Sequence, residues 1–269
     1  MEDDSVLRLE DVTKNYTSGY VFTERVTGAK DVSFSLREGE ILSLVGESGS
    51  GKTTVANIVL RLLNPSSGTI YLRGKEVFEM DKKEYWRNVQ AVFQDPYSTF
   101  NQYYVVDKVL SETFDLIEEV EGSEFSEAER MEIIESTLET IGMNPDEILG
   151  RYPHQTSGGQ MQRLLVARCL ILNPDLLLAD EPTSMIDAST RVAVLNELLR
   201  LKEEGMSVLF ITHDVAQAYY IADRAAVMNN GEVVEVGPVE DVFFDPEHPY
   251  TKELIDSIPK LHEKWDLTS

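Results

Sequence analysis

The chain has 269 residues, 42% of them apolar and 9% aromatic, which is enough for an ordinary packed core. Its 48 acidic residues outnumber 24 basic ones, and the resulting charge of −24 argues against a protein that works by neutralising nucleic-acid phosphates or anionic lipid, so no nucleic-acid partner is expected. The single cysteine, Cys169, excludes an internal disulfide and any multi-cysteine metal framework within the chain, and no apolar run approaches the roughly 18–20 residues of a membrane span.

The start, "MEDDSVLRLE", is acidic where a secretory leader would be basic and then greasy, so a cytosolic chain is expected, reaching any membrane through a partner. Next come "VSFSL" at 32–36 and "TIYL" at 69–72, which alternate like half-buried strands, with the apolar run "ILSLV" at 41–45 between them. The stretch from about 96 to 165 changes character. Ser126 with Glu129 makes a capping-box pattern, and Met131, Ile134, Leu138 and Ile141 follow at helical spacing, so a mostly helical insert is expected there. Further on, "DLLLAD" and "SVLFIT" are buried-strand patterns flanking a helical segment, which implies a parallel sheet with crossover helices. Finally, Asn-Asn-Gly inside "AAVMNNGEVVEV" signals a hairpin.

Gly46-Glu47-Ser48-Gly49-Ser50-Gly51-Lys52-Thr53 fits G-x-x-x-x-G-K-[ST], follows the strand "ILSLV" and opens the helical run that continues with Thr54. Glycines let the backbone wrap a polyphosphate so that successive N–H groups face the charge, with Lys52 reaching the β- and γ-phosphates and the Thr53 hydroxyl on Mg²⁺. "LLLADE" reads as a strand whose tip offers Asp180 to Mg²⁺ and Glu181 as general base or water-orienting group. Taken alone, such an Asp-Glu pair is as often a helix cap; behind a phosphate loop it points to phosphoryl transfer. His213 in "FITHD" ends the next strand, at the edge where a parallel sheet presents its ligands, and a γ-phosphate contact is expected of it. Gln94 in "AVFQDPYSTFNQ" follows a short apolar run, so its amide could reach the metal or the attacking water. His154, His248 and His262 receive no chemistry.

A second anion site, "TSGGQMQR", decides among ATPases, because Ser157, Gly158 and Gly159 stand at the start of another helix and one nucleotide does not need two such sites. With it, the sequence resembles the nucleotide-binding subunits of ABC transporters over about 7–259, leaving a short tail at 260–269. The resemblance implies an α/β P-loop core with a mainly parallel sheet, an antiparallel β lobe and a helical insert. It implies ATP and Mg²⁺ as ligands, Gln94 as Q-loop, Ser157, Gly158, Gly159 and Gln160 as a signature covering ATP bound to a partner cassette, Asp187 in the D-loop and His213 as switch histidine. Tyr16 matches the aromatic residue that stacks on adenine, with Tyr20 and Phe22 as rivals after an insertion. Thr156 replaces the usual leucine before the signature, and Met185-Ile186 departs from the commoner D-loop. Neither change removes a charged catalytic group.

The stretches "QDPYSTFN", "RYPHQTSGGQMQR" and the tail "GEVVEVGPVEDVFFDPEHPYTKELIDSIP" resemble ATPases of dipeptide/oligopeptide-type importers, of the F-type rather than the D-type subunit. That likeness implies a D-type ATPase partner, two permease subunits, an extracellular binding protein and a place on the cytoplasmic face of the membrane. Relatives of the same subfamily import nickel or oligosaccharides, so cargo stays open. A soluble ABC-type ATPase of DNA maintenance is the rival from another class; it calls for a long coiled coil, and no sustained heptads are present. A GTPase would need an Asn-Lys-x-Asp motif, which is absent.

Overall fold

A computed structural model describes residues 5–18, 24–93, 100–184 and 188–257. Its centre is a six-stranded sheet in the order β10-β9-β3-β8-β7-β6. The strands are β3 (Ile41–Val45), β6 (Val89–Val92), β7 (Leu176–Asp180), β8 (Ser207–Thr212), β9 (Arg224–Asn229) and β10 (Glu232–Pro238). All pairings are parallel except β9 with β10, whose two-residue loop has Asn230 and Gly231 both at positive φ, as the Asn-Asn-Gly signal requires. β3 and β8 are buried along their whole length, which explains why they read as continuous apolar runs instead of alternating ones.

Alternation is still present, and it builds two cores. Leu42, Leu44, Leu176, Leu178, Leu209 and Ile211 point to one face of the sheet, where they pack with α1 (Lys52–Val59) and an antiparallel lobe. That lobe is a second sheet in the order β2-β1-β4-β5, made of β1 (Ser5–Ser18), β2 (Glu24–Arg37), β4 (Ser67–Leu72) and β5 (Lys75–Glu76). The motifs "VSFSL" and "TIYL" therefore belong to a different sheet from "ILSLV" between them. Ile41, Val45, Leu177, Ala179, Val208 and Phe210 point to the opposite face, against the helices.

Between β6 and β7 the chain is helical: α3 (Val106–Glu121), α4 (Glu127–Thr140), α5 (Pro145–Ile148), a 3-10 turn at Pro153–Gln155 and α6 (Gly158–Leu172), after α2 (Lys82–Asn88) has led into β6. α3 buries Val106, Leu110, Phe114 and Ile117, one stripe of a helix, onto α6. α4 starts with the expected capping box, Ser126 Oγ accepting from Glu129 N and Glu129 Oε2 accepting from Ser126 N. It buries Ile134 and Leu138, and Ile141 at its end, but Met131 stays exposed, because it lies in the outward first turns of the helix. Cys169 is buried in α6 as a small apolar side chain, its thiol pKa pushed up to about 11 by that burial. α7 (Ala188–Glu203) connects β7 to β8, and α8 (Val215–Ile221) connects β8 to β9; α9 (Val239–Phe244) and α10 (Pro249–Asp256) follow the hairpin.

Register decides where the chemistry gathers. Val45 pairs with Thr212, Asp180 with Ile211 and Val92 with Ala179, so the carboxyl ends of β3, β8, β7 and β6 form one edge. The residues that follow β3, β7 and β8 open on that edge, where open α/β sheets hold ligands.

Candidate nucleotide site

The loop 46–51 leaves β3 and turns into α1 through Gly49 at φ 83° and Gly51 at φ 108°. Space is as restrictive as conformation: a Cβ on Gly46 would lie 2.2 Å from the Met228 carbonyl oxygen, and one on Gly51 would lie 2.3 Å from that of Gly28. Gly231 N–H donates to Ser50 O at 2.8 Å, so the β9–β10 hairpin buttresses the loop from behind. Gly51 caps α1 without a side-chain hydrogen bond, which leaves the first-turn N–H groups for an anion. Lys52 is 6% exposed and its Nζ donates to Gly46 O at 2.6 Å, to Glu47 O at 2.8 Å and to Ser50 Oγ at 3.4 Å. Burial lowers its pKa, opposed by the negative charges of Glu181, Asp180 and Glu47. Glu47, Ser48, Gly49 and Thr53 are exposed, and Thr54 is half-buried behind Thr53.

Across from the loop, β7 presents its carboxylates. The Asp180 carboxyl is pushed above the usual range by burial first and by the Glu181 charge next, while the Lys52 ammonium pulls it down. Glu181 holds a left-handed backbone at φ 46°, unusual for a residue with a side chain, and its N–H donates to Ile211 O at 2.9 Å. His213 Nδ1 lies 2.8 Å from Glu181 Oε1. Lys52, Asp180, Glu181 and His213 thus come together from three strand ends.

Behind them runs a polar brace that the sequence reading missed. Asp214 caps α8, accepting from Ala216 N and Gln217 N, and also accepts from Gln217 Nε2; Thr183 Oγ1 meets Gln217 Oε1. Asp before the apolar run "VAQAYY" carries an N-cap signal that identifies part of this brace.

Tyr16 stands on β1 beside the loop. Its hydroxyl is 3.2 Å from Thr54 Oγ1 and its ring is 38% exposed; a Cβ on Gly28 would sit 2.5 Å from Tyr16 Cε2, so glycine makes room for the ring. Tyr20, Phe22, Gln94 and Asp187, with the D-loop, lie outside the described residues. Ser157 caps α6 in a full capping box with Gln160, followed by Gly158 and Gly159 in the first turn. Among the described residues no hydrogen bond or ion pair joins the segment 157–160 to 46–54. Tyr250, which no sequence argument singled out, also reaches the phosphate loop, its hydroxyl accepting from Glu47 N–H at 3.4 Å.

Two family profiles match this chain: ABC transporter over residues 29–184, and oligopeptide/dipeptide transporter, C-terminal region, over 234–269. Among curated proteins it is 40% identical to a probable peptide ABC transporter ATP-binding protein of Sinorhizobium fredii, covering 95% of this chain and 73% of that one. It is 38% identical to the oligopeptide transport ATP-binding protein AppF of Bacillus subtilis, covering 97% and 80%. Among solved structures, the cassette MJ0796 in a dimeric post-hydrolysis state bound to ADP and phosphate superposes with a TM-score of 0.75 at 29% identity, over 87% of this chain and 98% of that one. The protein cbiO1 of Clostridium perfringens, described as part of the ABC transporter complex cbiONQ, gives 0.77 at 25% identity, over 90% and 92%. A glycine-lined phosphate loop, a strand-end carboxylate pair held by a histidine, and a second capped helix start are what an ATP-hydrolysing cassette needs, and with these matches the chain belongs to the ABC transporter family as one of its ATP-binding subunits.

Proposed function

We propose that this subunit hydrolyses ATP to power import of oligopeptides or dipeptides through separate membrane subunits. One observation carries the reading: the ABC transporter match and the match to the C-terminal region of oligopeptide/dipeptide transporters occur in one chain. Lys52 exchanges the carbonyls of Gly46 and Glu47 for β- and γ-phosphate oxygens, so its ammonium is already desolvated when ATP arrives. Glu181 takes the proton of the water that attacks the γ-phosphorus as the bond to the bridging oxygen of ADP breaks. His213 holds the Glu181 carboxylate in place and faces the γ-phosphate. Tyr16 stacks on adenine.

Asp180 and Thr53 offer hard oxygen donors that suit Mg²⁺, and a half-buried carboxyl crowded by Glu181 gains from a cation beside it. Such an ion keeps waters and substrate oxygens as its other ligands, so two or three protein donors suffice. When bound, the ion neutralises charge on the phosphate oxygens; Gln94 is its third protein contact.

Ser157, Gly158, Gly159 and Gln160 cover ATP held by a second, D-type cassette, and Asp187 belongs to the same shared interface. Among the described residues no helix is long and apolar enough to cross a membrane. The likeness to oligopeptide transport ATP-binding proteins supports a peripheral subunit on the cytoplasmic face that works with two permease subunits and, indirectly, an extracellular binding protein.

The test is Glu181→Gln in the assembled transporter. An amide cannot accept the water's proton, so turnover should fall by two orders of magnitude or more while ATP binding persists and a closed, ATP-loaded complex accumulates. Near-normal turnover removes Glu181 as base.

A further inference from the structure

The C-terminal segment matched to oligopeptide/dipeptide transporters is held against the nucleotide loop by a chain of named contacts. Glu235, on β10, turns its carboxylate to the backbone that precedes α10, accepting from Glu247 N at 2.8 Å and from His248 N at 3.1 Å. His248 then caps α10, its Nδ1 accepting from Tyr250 N at 3.1 Å, so a histidine without chemistry of its own fixes the helix start. Tyr250 packs its ring against the main core and extends its hydroxyl to Glu47 N–H. The carbonyl of the same Glu47 accepts from Lys52 Nζ. Both backbone polar groups of one loop residue are therefore occupied, the carbonyl by the lysine that serves the phosphates together with Ser50 N–H, and the N–H by a side chain 203 residues away.

We propose that the C-terminal segment clamps the phosphate loop through Tyr250, which makes Tyr250 a positioning residue for ATP binding and gives the segment a direct part in the ATPase. A phosphate loop must keep its shape while Lys52 leaves the Glu47 carbonyl for the incoming phosphates. Once the ammonium has left, the Glu47 carbonyl still accepts from Ser50 N–H at 3.2 Å inside the loop, and the hydrogen bond from Glu47 N–H to Tyr250 is what ties this residue to the C-terminal segment. Preorganisation of this kind acts on binding, because the loop then does not have to be ordered when ATP enters. It does not act on the attack of water, which depends on Glu181 and His213 on the far side of the site. Burial raises the Tyr250 pKa, so the hydroxyl stays neutral and places no negative charge beside the loop that receives the phosphates.

The inference rests on the loop 46–53 being the nucleotide loop. Tyr250→Phe removes the hydroxyl and keeps the ring, so the core contact survives. With a fluorescent ATP analogue on the full chain, Kd should rise about threefold to tenfold, the span of one lost neutral hydrogen bond. In the assembled transporter KM for ATP should rise in proportion while kcat at saturation stays within about twofold. The nucleotide-free melting midpoint should hold, which a merely structural role would not allow together with a changed Kd. Thr251→Val is the control: Thr251 is fully buried on the same helix and its hydroxyl has no hydrogen-bond partner among the described residues, so its loss should leave Kd at the unaltered value. As a second readout, 3-fluorotyrosine at position 250 should change its fluorine resonance when ATP is added. An unaltered chain that binds no ATP overturns the loop assignment itself. Normal ATP binding by the unaltered chain, together with an unchanged Kd in Tyr250→Phe or a silent fluorine signal, overturns the clamp alone.

Discussion

Lys52 and Glu181 each occupy an unfavourable state that only their neighbours make tolerable. The lysine is buried, a cost met by two carbonyls and by the nearby carboxylates. Glu181 bends its backbone into the left-handed region, worth about 1 kcal/mol or more for a side-chain-bearing residue, and is held there by its N–H bond to β8. Such strain fits a residue whose carboxylate must point at a fixed place. Tyr16 is a simpler case at this scale, since ring and hydroxyl have separable jobs. Tyr16→Ala should weaken ATP binding by roughly 1–3 kcal/mol, the range for stacking of a base on an aromatic ring, measured by analogue titration. Tyr16→Phe gives up only the half-exposed contact with Thr54 and should be mild. A comparable loss from alanine at Tyr20 or Phe22, with none at Tyr16, relocates the adenine platform.

At the scale of elements, α4 separates what a pattern says from what packing uses. Capping and periodicity located the helix, yet only Ile134, Leu138 and Ile141 of the four spaced apolar residues are buried. A stripe read from spacing has no way to know how far the neighbouring helix extends. Ile134→Ala should cost about 2–5 kcal/mol and Met131→Ala less than about 0.5, compared by denaturant unfolding with the same fluorescence probe. Equal costs at the two positions would mean that the first turns of α4 are covered after all. The capping box at Ser157 has the same local chemistry as that at Ser126, but there the helix start opens on no group of its own chain's phosphate loop.

For the whole molecule, the proposed sandwich of two cassettes predicts two sites shared between chains: in one, Lys52, Glu181 and His213 would meet a partner's signature; in the other, Ser157, Gly158 and Gly159 would close over the partner's ATP. Lys52→Ala should therefore empty this chain's own site, whereas Ser157→Arg should leave ATP binding to the isolated chain nearly unchanged and block closure in the assembled transporter. Analogue binding on the isolated chain and nucleotide trapping on each cassette separate the two effects. If Ser157→Arg abolishes binding to the isolated chain as fully as Lys52→Ala does, the signature serves its own site and the sandwich is wrong.

Local signals were legible because their causes are local. Glycines at 49 and 51, the Asn-Asn-Gly hairpin, the box at Ser126 and the apolar runs of β3, β7 and β8 each depend on φ, on hydrogen bonds within a few residues, or on burial of a contiguous strand. From these, and from the resemblance they supported, the P-loop core, its ATPase chemistry and the helical insert followed from the sequence by itself. The tertiary structure alone decided the strand order, the split of neighbouring motifs between two sheets, the hydrogen bond between Glu181 and His213, and the reach of Tyr250 to Glu47. Those contacts join segments far apart along the chain, and their distances depend on how whole strands and helices stack, which no short window of residues encodes.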